Sequence, residues 1–104
     1  MSDLHHIADR PILQGTHEAN RIILFGNTNE EQDFSIRVRS YPEVDKFVWR
    51  QGSNTIDNVL SEESSDVYRS TIREKPGGRE TYSVKISNNL FETDVTVVVE
   101  PEGN

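Results

Sequence analysis

A single tryptophan, Trp49, stands between two stretches whose apolar residues fall on every second position, and few folds can accommodate that arrangement. In Phe34-Ser35-Ile36-Arg37-Val38-Arg39, and again in Tyr82-Ser83-Val84-Lys85-Ile86, apolar and polar side chains alternate. A half-buried strand requires this period of two, because successive side chains point to opposite faces. Two such strands flanking a buried indole predict two sheets closed over a shared core, a β-sandwich.

The rest of the chain keeps the same rhythm. Residues 1–10 are polar and read as a flexible lead; Pro11 opens an edge strand around Ile12-Leu13 that Gly15 ends. Residues 21–25 form a short apolar run, and Gly26-Asn27-Thr28-Asn29-Glu30-Glu31 separates it from a strand starting near Asp33. After the turn containing Pro42, residues 46–51 place Phe47 and Trp49 on one face and Val48 and Arg50 on the other. A short edge strand is expected within residues 56–66, ahead of the alternating run at residues 67–74. Pro76-Gly77-Gly78 then turns the chain into a last strand pair, residues 80–87 and 91–100, joined at Asn88-Asn89. The expectation is seven to nine strands, no helix, no internal repeat, and one domain over residues 11–100 with residues 101–104 as a tail or linker.

These landmarks resemble an immunoglobulin domain of the intermediate type: a cysteine position, a tryptophan thirteen residues on, and a tyrosine two residues before a second cysteine position. Ile36 and Val84 occupy the two cysteine positions, Trp49 and Tyr82 the other two. The resemblance covers about residues 11 to 100 and implies an all-β, immunoglobulin-like Greek-key sandwich of two antiparallel sheets, with Ile36, Trp49, Tyr82 and Val84 in its core. It also implies a corner in which the Tyr82 hydroxyl bonds to backbone near Gly77 to Arg79. The family's Asp-x-Gly-x-Tyr-x-Cys motif is altered at three places, with Gly78 for Asp, Glu80 for Gly and Val84 for Cys. A fibronectin type III domain, the nearest structural rival, carries its core tryptophan one strand earlier than Trp49 lies here. Losing the bridge costs about 3 to 4 kcal/mol on the chain-entropy model. Burying Ile36 and Val84 against Trp49 offsets roughly 1.5 to 3 kcal/mol for each side chain.

Two bridge-free classes share this pattern. One comprises intracellular modules of giant muscle proteins. The other comprises membrane-proximal domains of growth-factor receptor tyrosine kinases, whose Gly-x-Tyr region the run from Gly77 to Asn88 resembles, together with atypical adhesion domains of invertebrates. The resemblance implies a non-catalytic protein-protein interaction module of a multidomain cell-surface receptor or adhesion protein, with an intracellular cytoskeletal module as the alternative.

Other function classes find little support. With no cysteine there is no disulfide or thiolate metal site, and a formal charge of -7 disfavours nucleic acid and anionic membranes. No apolar run suits a signal peptide or a membrane span, and no Asn-x-Ser/Thr sequon occurs. His5 and His6, with Asp3 or Asp9, are too few neighbouring ligands for a preorganised metal site, and His17 has no evident partner. The pairs Glu30-Glu31 and Glu62-Glu63 lack the spaced ligand set of a calcium loop and read as solvated charges. No nucleophile, phosphate-loop or paired-carboxylate motif occurs, so neither an enzyme activity nor a cofactor is expected.

Two surfaces remain as candidate sites. If Phe34, Ile36 and Val38 point inward, then Arg37 and Arg39 point outward, and Arg69 and Arg73 do so on the strand expected beside them. Four arginines on one sheet face could dock an acidic partner, or could pair locally with Glu62, Glu63, Asp66 and Glu74. On the opposite sheet, Val48 and Val98 are expected outward beside Lys85, as a face for a protein partner that includes a second copy of the chain. Neighbouring domains of a longer chain are expected as further partners.

Overall fold

The computed structural model describes residues 8–15 and 20–102. Nine strands follow one another: β1 (Asp9–Leu13), β2 (Arg21–Gly26), β3 (Gln32–Tyr41), β4 (Lys46–Gln51), β5 (Asn54–Ile56), β6 (Val59–Ser64), β7 (Val67–Glu74), β8 (Glu80–Ser87) and β9 (Glu92–Pro101). They form a four-stranded sheet in the order β1-β3-β7-β6 and a five-stranded sheet in the order β2-β9-β8-β4-β5. Alternation within each strand drives the layering, since β3, β7, β8 and β9 bury every second side chain and pack those faces together.

One pair departs from the antiparallel expectation: β2 runs parallel to β9, with Arg21 opposite Thr96 through Gly26 opposite Pro101. The first two strands lie in different sheets, and the segment between them contains Gly15 and Asn20, both at positive φ (75° and 61°). Crossing from one sheet to the other lets β2 meet β9 side by side in the same direction. Strand β1 begins at Asp9, two residues before Pro11. The stretch expected to hold one edge strand holds β6, and a further short strand, β5, ends at its first residue; each lies at the edge of one sheet. Its weak apolar signal follows from this placement, because every residue of β6 is exposed and needs no hydrophobic alternation.

Trp49 is fully buried, and Ile36, Tyr82 and Val84 are almost completely so. Ile36 lies in the four-stranded sheet and Val84 in the five-stranded sheet, so the two cysteine positions fall on opposite layers of the core. Val84 is the register partner of Trp49, and Ile36 that of Ser70. Between those pairs runs a polar chain: the Trp49 indole N–H donates to Ser70 Oγ at 2.8 Å, and Ser70 Oγ donates to Asn58 Oδ1 at 2.8 Å. The Asn58 amide in turn donates to the Phe47 carbonyl at 2.9 Å. This chain crosses from β4 to β7, tying the two sheets where an immunoglobulin domain would carry its bridge. It leaves no buried side-chain donor or acceptor unpartnered among the described residues.

The Tyr82 ring packs edge-on to Trp49, with centroids 5.9 Å apart and planes at 71°. The expected corner is a correction: among the described residues the Tyr82 hydroxyl makes no hydrogen bond to backbone near Gly77 to Arg79. Glu80, standing where the family motif has glycine, holds that loop instead. One of its carboxylate oxygens accepts the Gly77 N–H at 3.1 Å, and the other accepts a short hydrogen bond from the Gln51 amide. Burial first, then the charges of Glu74 and Glu80, push the Tyr82 phenol up to about 12.

Candidate interaction faces

The four-stranded sheet brings the sequence-predicted arginines together. Arg37 and Arg69 are direct register partners on β3 and β7, and Arg73 stands opposite Asp33. Two like charges directly opposed on a sheet repel, so an anion between them is stabilising. Glu63 supplies it: Oε1 meets Arg37 Nε at 2.8 Å, and Oε2 accepts from Arg69 Nε at 2.7 Å, with a second contact to Arg69 Nη2. The bulge in β6 between Glu62 and Ser64 includes Glu63, and bulges re-aim side chains. The hydrogen bond from Arg69, together with the Arg37 charge, holds the Glu63 carboxyl below the usual carboxylate range against its desolvation. Arg73 meets Asp33 at 2.9 Å and Glu31 at 3.8 Å. Of the four arginines, Arg39 alone has no ion pair or hydrogen bond among the described residues; it lies between Ile12 and Val67 in register.

On the five-stranded sheet, Val48 and Lys85 are register partners and share the outer face, with Lys85 opposite Asp94 in turn. Val48, Arg50, Ser83, Val84, Lys85 and Asp94 line a shallow hollow of about 170 Å³. Val98 is only 2% exposed and is thereby corrected as an accessible contact residue. It lies outside the hydrophobic core cluster and sits between Thr81 of β8 and Ile23 of β2 in register. The parallel strand β2 makes β9 an interior strand of the sheet, flanking Val98 on a side where an edge would have left it open. Ile23 is 42% exposed and presents the apolar surface there instead.

Sequence reasoning placed the turn between β8 and β9 at Asn88-Asn89, at the rim of the candidate face, without foreseeing how that turn is held. Asn88 is buried, its Oδ1 accepting the Leu90 and Phe91 N–H groups at 3.0 and 2.8 Å while its amide donates to Ser40 Oγ at 3.1 Å. The turn thereby holds Leu90 out at 60% exposure, and the Arg10 guanidinium lies 5.9 Å from the Phe91 ring centroid. The Asn88-Asn89 dipeptide marked a turn, but the side-chain capture by Asn88 depends on Ser40, far away in sequence.

The candidate metal ligands Asp3, His5 and His6, and also His17, lie outside the described residues, and nothing is described of the Asp9 side chain. Among the described residues no group of three or more His, Cys, Asp or Glu could hold a metal ion. No helix among them is long and apolar enough to cross a membrane.

No family model and no curated protein matches the chain. Solved structures do. Titin domain M7 aligns over 93% of this chain and 98% of its own length at 12% identity, with a TM-score of 0.61. A chain from the crystal structure of Dpr2 Ig1-Ig2 in complex with DIP-Theta Ig1-Ig3 aligns over 91% of this chain and 33% of its own at 13% identity, with a TM-score of 0.65. The twitchin kinase region from C. elegans aligns over 89% of this chain and 16% of its own at 14% identity, with a TM-score of 0.58. Two facing sheets, a tryptophan buried between the two former cysteine positions, and these likenesses identify the fold as that of an immunoglobulin domain, built here without a cysteine.

Proposed function

We propose that this domain is a non-catalytic protein-protein interaction module of the intermediate immunoglobulin type, set in line within a multidomain receptor or adhesion protein at the cell surface. The observation that carries the reading is the outer face of β4, β8 and β9. It is open to solvent, faced with small Ser and Thr side chains, and carries a shallow hollow with Val48, Arg50, Lys85 and Asp94 at its rim. Such a face suits a flat partner surface better than a small substrate. Val48 and Lys85 are its proposed contact residues, and the arginine face is a second candidate, at which Arg39 is the arginine with no ion pair or hydrogen bond among the described residues.

Support for an in-line arrangement comes from the strand directions. Strand β1 enters beside Tyr41, at one end of β3, while the chain leaves beside Gly26, whose carbonyl accepts the Glu102 N–H at 2.8 Å. Gly26 adjoins Phe34 and Gln32, at the other end of β3. Ten residues of β3 separate the two ends, about 30 Å. Reading the complete transcript tests the location: a secretory signal upstream with a membrane anchor downstream supports it, and uninterrupted domain repeats without either refute it. Val48→Asp with Lys85→Glu should abolish partner binding by the intact protein without lowering the melting temperature.

A second reading, an intracellular structural module of a cytoskeletal or muscle protein, rests on a different observation. The tie from Trp49 through Ser70 to Asn58 joins the sheets with no oxidation step, which suits a reducing compartment.

A further inference from the structure

Each sheet ends in two edge strands, and three of the four are guarded against pairing with another chain. Strand β1 carries Pro11 and a break in register between Asp9 and Ile12, β6 carries Glu62, Glu63 and its bulge, and β5 is three residues long. Proline, charge, bulges and shortness are the devices that keep an edge from recruiting a further strand. Beyond Arg21 at its start, β2 has none of them. It keeps six consecutive register pairs with β9, no strand among the described residues lies on its other side, and it runs Ile22-Ile23-Leu24-Phe25 before Gly26.

The backbone of β2 is divided between its two sides. In a parallel ladder one residue turns both its N–H and its C=O to a given neighbour, and the next residue turns both away. The Asn20 and Gly26 carbonyls accept from the Thr96 and Glu102 N–H groups, in and just after β9, at 2.9 and 2.8 Å, so the even-numbered positions serve β9. Ile23 and Phe25 therefore direct N–H and C=O out of the sheet edge. Ile22 and Leu24 pack against the core, which leaves the Ile23 and Phe25 side chains on the outer face, 42% and 64% exposed.

We infer that β2 pairs with β2 of a second copy of this chain, antiparallel, about a two-fold axis normal to the sheet that passes between the two Leu24 residues. An isologous contact must be complementary to itself, and this edge is its own complement in backbone, shape and charge. Opposed residues of an antiparallel pair share a face, so the two-fold has to centre on a residue, and Leu24 is the centre that sets Ile23 of each copy against Phe25 of the other. Those two residues then exchange hydrogen bonds in both directions, and a β-branched side chain meets an aromatic one on the outer face. On the inner face Leu24 meets Leu24, and Ile22 meets Gly26, large against small. Arg21 is the one charged residue of β2 and stands at its start, so antiparallel pairing keeps the two arginines at opposite ends. In chains of net charge -7 this is an uncharged stretch along which two copies can approach. A single strand pair covers much less than the roughly 800 Å² per partner of a standard interface, so the contact is weak and is strengthened where copies are tethered. Strand β9 separates this edge from Val48 and Lys85, so the inference goes beyond the interaction reading above and stands or fails independently of it.

Sedimentation equilibrium of the 104-residue chain up to about 1 mM reads the pairing. Wild type should dimerise, and more tightly at physiological than at low salt, because salt screens the repulsion between the net charges. Phe25→Pro removes an N–H that faces out of the edge and none that serves β9, so it should weaken association at least about tenfold in a folded domain. If Phe25→Pro melts below wild type, Ile23→Lys, which places on an exposed position the charge that guards natural edges, takes its place with the same expected loss. Cross-linking reads the register. The chain has no cysteine, so Leu24→Cys carries a single thiol, which the two-fold sets against its own copy at the close spacing of a non-hydrogen-bonded pair, about 4.5 Å between Cα atoms. It should oxidise to a covalent dimer at least about tenfold faster than Val59→Cys, a more exposed thiol on β6. The inference is overturned by a wild type that stays monomeric at about 1 mM, by a folded edge variant that dimerises like wild type, or by a Leu24→Cys chain that cross-links no faster than Val59→Cys. A monomeric wild type that still loses a different protein partner on Val48→Asp with Lys85→Glu would overturn pairing at β2 and leave the interaction reading intact.

Discussion

Replacing Ser70 with alanine tests whether a polar tie does the work of the absent bridge. Ser70 is fully buried and its hydroxyl both accepts from the Trp49 indole and donates to Asn58. Ser70→Ala strands the indole N–H inside the core, since both residues are fully buried. Such a group costs about 1 to 3 kcal/mol, and half-buried Asn58 adds a smaller share, for a total of about 2 to 4 kcal/mol. In a domain of this size each kcal/mol lowers the melting temperature by about 4 to 8 °C, so a fall of roughly 10 to 25 °C is expected. Urea unfolding followed by fluorescence reads it directly, because Trp49 is the only tryptophan. A double-mutant cycle with Trp49→Phe, read by circular dichroism, isolates the bond. Once the indole N–H is gone, Ser70→Ala should cost about 1 to 2 kcal/mol less. A loss below about 0.5 kcal/mol for Ser70→Ala, or strict additivity in the cycle, would refute the reasoning.

Restoring the bridge should succeed: with Ile36→Cys and Val84→Cys, the oxidised form should exceed its own reduced form by about 4 kcal/mol for a loop of roughly fifty residues, as denaturation with and without reductant would reveal. Tyr82 is raised above its unfolded value by burial, so its contribution is fully present below about pH 10 and is lost as pH rises towards about 12. Tyr82→Phe should flatten the alkaline limb of the stability profile; an unchanged limb would assign it elsewhere. Glu63 is shifted the other way, so its link between Arg37 and Arg69 stabilises above the unfolded carboxylate range and fades as pH falls through it. The stability difference between wild type and Glu63→Gln should vanish in acid and shrink in high salt, and a gap that persists under both conditions would count against an electrostatic origin. Gly26→Ala should destabilise by about 1 to 3 kcal/mol in a thermal melt, because a Cβ there would lie 2.7 Å from the Phe34 ring.

Period-two alternation carried most of the fold into view. The strands at residues 46–51, 67–74 and 80–87 coincide with β4, β7 and β8, since each buries one face and its alternation is sharp. The signal faded where burial does. Strand β6 is exposed along its whole length and β5 has three residues, so neither carries the pattern from which strands are read. The inward direction of Ser70 was legible, but its role was not. A serine among core residues reads as a neutral gap in a pattern until Trp49 arrives from the other sheet to bond with it. Val98 failed for a related reason: alternation assigns a residue to a face, whereas its exposure depends on which strand lies next to it.

The pairing of β2 with β9 has a mechanical consequence. The two strands run in the same direction, six register pairs long, and the chain leaves the domain where their ends meet at Gly26 and Pro101. A pull applied between the entering strand at Asp9 and the exit at Glu102 runs along the strands, so this ladder is loaded in shear. Bonds loaded in shear share the load and give way together, whereas a ladder peeled from one end yields a single bond at a time. A module without a covalent staple thus still has a point of resistance beside the end of its last strand, set by strand direction.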